Sequence, residues 1–272
     1  MIDQTRLELL CAEVILIARE IGKFIHYQID QVSANDIITK EHNSLVSYVD
    51  TTAEQRLVKA LTQILPEAGF ITEENTIEQA LMQEMVWIID PLDGTTNYLQ
   101  RIPHYSTSIA LQVNGEILLG VVSDISQDKI YHAIKGGGAC CNGTKVKIAS
   151  KEKISEAIIA TGFPYNRDLD FDTSIEALVY FVKHARGMRR LGSAALDLVY
   201  VASGKLDAYY ESNLNIWDVA AGNLIVEEAG GIVTDYNGGD THLMGKSMIA
   251  ANPNLHSQVR IILSEIAGGS EV

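Results

Sequence analysis

Between residues 2 and 28, Leu7, Leu10, Val14, Ala18, Ile21 and Ile25 recur three or four apart, against polar Arg6, Glu8, Glu13, Arg19 and Lys23. That period predicts one long amphipathic helix. After the polar stretch 33–44, Thr51-Thr52-Ala53-Glu54 has the spacing of a capping box, with Leu57, Leu61 and Leu65 behind it and Pro66 and Gly69 to stop it. A second helix is expected from Thr51, with Asp50 at its entrance. From about 85 to 149 the texture changes to short apolar or alternating runs, MVWIID, STSIALQV, EILLGVV, KIYHAI and KVKIA, which read as strands. Asn114-Gly115 and Asn142-Gly143 fall between such runs and mark two-residue hairpins, so this part is expected to be an antiparallel meander. Beyond 150, helices and strands alternate: strand AIIAT, helix SIEALVYFVKHA, a capped helix from Ser193 to Gly204, strand LDAYYES, a helix over 217–229 ended by Gly230-Gly231, strand GIVTDY, and a last helix opened by Asn252-Pro253. The change near 150 divides the chain into an α+β subdomain, 1–149, and an α/β subdomain, 150–272, sharing one interface.

Charge narrows the partners. The 21 lysines and arginines stand against 35 aspartates and glutamates, a net charge of −14 whose field repels nucleic acid and anionic membrane. No apolar run reaches the roughly 18 residues of a membrane span, and MIDQTRLELL lacks the basic and apolar segments of an export signal, so a cytoplasmic protein is expected. Cys11, Cys140 and Cys141 fit neither a disulfide framework nor a zinc site and are read as free thiols. GACCNGTK, residues 138–145, reverses the Lys and Thr of a phosphate-binding loop and is read as a hairpin loop; Ser193 lacks a nucleophile elbow. KHARGMRR, residues 183–190, is the one basic cluster, either a solvated helix end and edge strand or a docking surface.

The surplus carboxylates matter by position. In WIIDPLDGTTNY an apolar run delivers Asp90, Pro91 blocks a helix, and Asp93-Gly94 turns sharply before Thr95 and Thr96. An unpaired carboxylate after such a run is costly to bury, and a cation is one of the few partners able to hold both Asp90 and Asp93. The amides of Gly94, Thr95 and Thr96 can converge on a phosphate if a helix starts there. FITEEN adds Glu73 and Glu74 upstream, and NIWDVAAGNLIVEEAGG places Asp218 in the first turn of a helix.

WIIDPLDGTTNY and WDVAAGNLIVEEAGG resemble the two signature motifs of the inositol monophosphatase family, part of a magnesium-dependent, lithium-sensitive phosphatase group. LVSYVDTTAEQRL, FITEEN and RRLGSAALDLVYVASGKLDAYYE resemble the segments between them. The resemblance implies an α/β fold, a layered αβαβα sandwich, and hydrolysis of inositol monophosphate at two or three Mg²⁺ ions, with Mn²⁺ able to substitute. It assigns Glu73, Asp90 and the Leu92 carbonyl to a first metal, Asp90, Asp93 and Asp218 to a second, and Asp50 to a third. Glu73 and Thr95 would orient the nucleophilic water, with Asp218 near the leaving oxygen. Gly94, Thr95, Thr96, Gly192, Ser193, Ala194, Glu211 and Asp218 would contact the substrate, a phosphorylated cyclitol or sugar, and Glu211 would read ring hydroxyls. Lys40 stands where a family lysine reaches the site, Thr72 replaces the family's usual glycine before the metal-binding glutamate, and TGFPYN, residues 161–166, lacks serines some members place by the substrate. A homodimer without membrane association is expected. A bisphosphate nucleotidase or broad sugar phosphatase shares the metal motif, although nucleotidases carry DGTKEF where this chain has DGTTNY. A regulatory binding protein using the basic cluster is the alternative of another class.

Overall fold

The computed structural model describes residues 2–32, 37–41, 44–80, 83–163, 171–244 and 247–269. Residues 164–166 of the TGFPYN segment lie outside them. Helix α1 (Gln4–Gln28) starts at Asp3, which accepts a hydrogen bond from the Arg6 amide, and buries the expected stripe from Leu7 to Ile25. Strands β1 (Ile37–Glu41) and β2 (Ser44–Ser47) form an antiparallel hairpin where the sequence reads as a polar connection. The Lys40 backbone lies on β1; its side chain is outside the described set.

Helix α2 (Tyr48–Ile64) begins three residues before the expected start at Thr51. The capping box is Ser47 with Asp50: the Ser47 amide and hydroxyl both donate to Asp50 Oδ2, at 2.9 and 2.7 Å. Thr51 instead donates to the Tyr48 carbonyl within the helix, and Glu54 is engaged elsewhere, so the Thr51–Glu54 spacing caps nothing.

Strands β3 (Gly69–Thr72) and β4 (Met85–Asp93) lead to the short helix α3 (Thr95–Leu99). Strands β5 (Ser106–Val113), β6 (Glu116–Asp124), β7 (Lys129–Ile134), β8 (Gly138–Cys141) and β9 (Thr144–Lys145) follow. Together β3 to β9 make a seven-stranded sheet in chain order, antiparallel except for the β3–β4 pair. Asn114-Gly115 (φ 51° and 84°) and Asn142-Gly143 (φ 46° and 79°) take the doubly left-handed conformation that a two-residue hairpin requires. The segment read as a hairpin loop is therefore β8, a turn and β9. KVKIA contributes only Lys145 to the sheet, because the chain then turns away and the Ile148 amide bonds the Ala229 carbonyl.

The second sheet comes from β10 (Ile158–Thr161), β11 (Gly187–Arg189), β12 (Ala208–Ser212), β13 (Ile232–Thr234) and β14 (Ser247–Ala251), in the order β11-β10-β12-β14-β13. Helices α4 (Phe171–His184), α5 (Ala194–Ala202), α6 (Ile216–Glu228) and α7 (Pro253–Gly269) complete the chain. Strand alternation sorts the core into layers. Trp87 and Ile89 of β4 pack with α1 and α2, while Val86 and Ile88 face α5 and α6. Tyr209 of β12 joins that inner layer from the other side, and Tyr210 and Ala208 face α4 and α7. The result is the five-layer αβαβα sandwich. No helix among the described residues is long and apolar enough to cross a membrane.

The inner layer is set by backbone contact. A Cβ added to Gly120 of β6 would lie 2.7 Å from the Ala221 carbonyl oxygen and 3.0 Å from its Cα, on α6. Both are main-chain atoms, so Gly120→Ala must push α6 off the sheet. It should destabilise the fold by about 1–3 kcal/mol in chemical denaturation, by overpacking. An unchanged unfolding midpoint would show that the helix is not seated as described.

Candidate active site

Residues 90 and 93 are an odd number apart and would point to opposite faces of a regular strand. In β4 they do not, because Asp90 pairs with Ser108 and Asp93 with Ser106, three residues against two. This bulge accommodates Pro91, which has no N–H to give a ladder, and turns both carboxylates to one face. The Leu92 amide donates to Asp90 Oδ1 at 2.9 Å. Gly94 follows with φ 89°, and a Cβ there would meet the His104 carbonyl at 3.0 Å and the Gly192 carbonyl at 3.2 Å, so the turn and the contact both demand glycine. Helix α3 starts immediately after it, which leaves the first amides, those of Thr95 and Thr96, without helical acceptors. The Thr96 side chain is exposed, so its amide is the part that can serve the site.

Glu73 arrives from the neighbouring strand. Thr72 pairs with Ile89 in the parallel β3–β4 ladder and the Glu73 amide donates to the Ile89 carbonyl, which sets Glu73 beside Asp90. Thr72, where a glycine is usual, is buried and keeps the ladder: its amide donates to Gln79 Oε1 at 2.8 Å, and Gln79 Nε2 returns a bond to its hydroxyl. The loop beyond is gripped by Glu54 of α2, fully buried, whose carboxylate accepts from the Glu74 amide, the Thr76 amide and the Thr76 hydroxyl, each at 2.7 Å. The capping-box spacing gave Glu54 a different role and nothing in the sequence singled out Gln79; an acidic residue on the apolar face of α2 was the available signal.

Three further elements close the cluster. Thr95 Oγ1 lies 3.0 Å from Asp50 Oδ1 and 2.9 Å from the Leu92 carbonyl, so Asp50 joins through Thr95. Asp93 Oδ2 sits at the start of α5, accepting from the Ser193 hydroxyl at 2.5 Å, the Ala195 amide at 2.8 Å and the Ser106 hydroxyl at 3.4 Å. Asp218 occupies the first turn of α6, where its Oδ2 accepts from the Asn215 amide at 2.7 Å. Gly192, Ser193, Ala194 and Glu211 line a cavity together with Asp93 and Asp218.

These carboxyls repel one another. Burial, then Glu73, Asp93 and Asp218, push the Asp90 carboxyl well above its ordinary range, and Glu73 shares a hydrogen bond with it. Burial, then Glu73 and Asp93, do the same to Asp218. Asp93 is pushed up to about 6 by burial, held from going further by Ser193 and the Ala195 and Ala194 amides. The donor set is all oxygen, which suits hard cations of the Mg²⁺ or Mn²⁺ kind. Among the described residues no three histidine, cysteine, aspartate or glutamate side chains stand, as placed, where they could hold a metal ion together.

A profile of the inositol monophosphatase family matches residues 7–266. The Nus factor SuhB of Escherichia coli K12 is 37% identical over 238 residues, covering 88% of this chain and 89% of that protein. The inositol-1-monophosphatase of Caulobacter vibrioides is 37% identical over 246 residues, covering 89% and 93%. The solved structure of the Thermotoga maritima IMPase matches with a TM-score of 0.85 at 30% identity, over 94% of this chain and 97% of that one.

The grip on the Glu73 loop is testable by itself. Glu54→Gln replaces one acceptor oxygen by a donor that faces the same N–H groups. It should weaken divalent-cation binding, measured by calorimetry, about 10- to 100-fold, the usual effect of removing an outer support. Unaltered affinity would release Glu54 from any role in the site.

Proposed function

The chain belongs to the inositol monophosphatase family, which supports a metal-dependent phosphatase, and we propose that it hydrolyses inositol monophosphate to inositol and phosphate. The observation that carries this is the convergence of Glu73, Asp90, Asp93 and Asp218, the last two of which line a cavity together with Glu211. In this reading Glu73, Asp90, the Leu92 carbonyl, Asp93 and Asp218 hold Mg²⁺, and Asp50 supports a third ion. When bound, such ions lower the pKa of a water and offset charge on the phosphoryl and leaving oxygens.

The residues supply position. Thr95 Oγ1 gives its proton to Asp50 or the Leu92 carbonyl, so its lone pairs face outward to accept from a water. Glu73 takes the second hydrogen of that water, which fixes its direction for in-line attack on phosphorus. The amides of Gly94, Thr95 and Thr96 hold phosphoryl oxygens. As the new P–O bond forms and the ester P–O bond breaks, the attacking water gives one proton up toward Glu73 and a second water on the Asp218 side gives one to the departing alkoxide, so inositol leaves as the alcohol with no net change in protons. Glu211, with Oε2 tied to the Tyr209 hydroxyl at 2.6 Å, keeps its other oxygen for a ring hydroxyl, and the small residues 192–194 leave room for the ring.

A regulatory binding role is the second reading, favoured by the name Nus factor on one relative and by the basic cluster. Lys183, Arg186, Arg189 and Arg190 are exposed where α4 meets β11, the edge strand of the second sheet.

Phosphate release from inositol 1-phosphate, sugar phosphates and adenosine bisphosphates, with Mg²⁺ or with EDTA, tests the first reading. Activity should require Mg²⁺ and favour inositol 1-phosphate. Asp93→Asn should keep the fold, since the amide oxygen still accepts from Ala195, yet lose on the order of 10³-fold or more in rate. Full activity in EDTA overturns the proposal, and an inactive wild type whose partner capture survives Asp93→Asn establishes the second reading instead.

A further inference from the structure

The cavity contains one carboxyl that the proposed reaction does not use. Asp197 of α5 is 1% exposed and lines the cavity with Glu211, Arg190 and Gly162. Its Oδ1 is buried and has no hydrogen-bond partner among the described residues. A buried carboxyl oxygen without a partner weakens a fold, and a ligand that donates to it recovers the loss.

A structural duty does not account for it. Acidic residues near a helix start commonly serve the first amides, but α5 is already capped by Ser193, which accepts from the Leu196 amide, and by Asp93, which accepts from the Ala195 amide. Gly162 makes room for the neighbouring carboxylate: a Cβ there would fall 2.0 Å from Glu211, which is thereby seated in the same wall as Asp197. Burial, then Glu211 and Asp93, push the Asp197 carboxyl well above its ordinary range, and Arg190 opposes them. The cavity is small, ≈ 60 Å³, room for the hydroxyl edge of a ring rather than for a whole ligand.

We infer that Asp197 is a second hydroxyl-reading residue, which together with Glu211 takes two neighbouring hydroxyls of a polyol ring, one on each carboxyl. This rests on the phosphatase reading and narrows its substrate to phosphate esters of polyols with two adjacent free hydroxyls on the α5 side. Arg190, in the same wall, disfavours a cationic group at that position.

Steady-state kinetics test it with inositol 1-phosphate, its singly deoxygenated ring analogues and phenyl phosphate. Asp197→Ala should lower kcat/KM for inositol 1-phosphate about 10- to 100-fold, and for phenyl phosphate by a factor at least about fivefold smaller. Asp197→Asn keeps the shape and guards against misfolding; it should show the same selectivity with a smaller loss. One deoxy analogue, poor for the wild type, should suffer no further loss in Asp197→Ala, since the missing hydroxyl and the missing carboxyl remove one interaction. Equal losses on both substrates, or losses that multiply for every analogue, would overturn the inference. A wild type without preference for inositol 1-phosphate over phenyl phosphate would remove the substrate reading, and this inference with it.

Discussion

Four carboxyl groups share one corner of this molecule, and their mutual repulsion is the constraint that the surrounding structure answers. Asp90 is 2% exposed, with Glu73, Asp93 and Asp218 all close enough to disfavour its charge. Like charges in a water-poor site cannot all ionise without compensation. The protein supplies donors at the three aspartates: the Leu92 amide to Asp90, the Ser193 hydroxyl and Ala195 amide to Asp93, the Asn215 amide to Asp218. Hydrogen bonds of this kind lower the penalty without cancelling it. A divalent cation would complete the compensation, which joins the electrostatics of the cluster to the chemistry proposed for it.

The layered fold is what brings the four together. Glu73 and Asp90 come from adjacent parallel strands, Asp93 from beyond the bulge of the same strand, and Asp218 from a helix of the inner layer. That layer is packed by both sheets, so the site joins residues nearly 150 positions apart. Asn97 strengthens the join, donating through Nδ2 to the His104 and Leu191 carbonyls, both at 2.8 Å. The seat of α6 against Gly120 has the same consequence, because a shifted helix carries Asp218 with it.

Local physics made part of this legible in the sequence. The period of α1, the Asn-Gly hairpins flanking the meander, and the Gly-terminated α6 depend on near neighbours. So does the Asp93-Gly94 turn, and the two signature segments stand where their motifs placed them. What escaped depends on distant partners. Strand β14 is a short apolar run whose identity comes from pairing with β12 and β13 on either side. Two capping boxes competed for the start of α2, and Ser47–Asp50 prevails because Glu54 is drawn to the Glu73 loop. The β4 bulge is a matter of register with β5, invisible along one chain. Asp197 left one trace, an acidic residue in the otherwise apolar α5, whose nine residues are all buried.

Four crowded carboxyls are an electrostatic liability that a divalent cation would relieve. Thermal melting of wild type and Asp90→Asn, each in chelator and in Mg²⁺, tests it directly. Asparagine can still accept from the Leu92 amide and donate to Glu73, so the substitution removes charge and keeps the hydrogen bonds. Mg²⁺ should stabilise the wild type, and Asp90→Asn should melt higher than wild type in chelator, by about 1–4 kcal/mol of stability. The variant should gain little from Mg²⁺. A variant less stable than wild type in chelator, with an undiminished response to Mg²⁺, would contradict it.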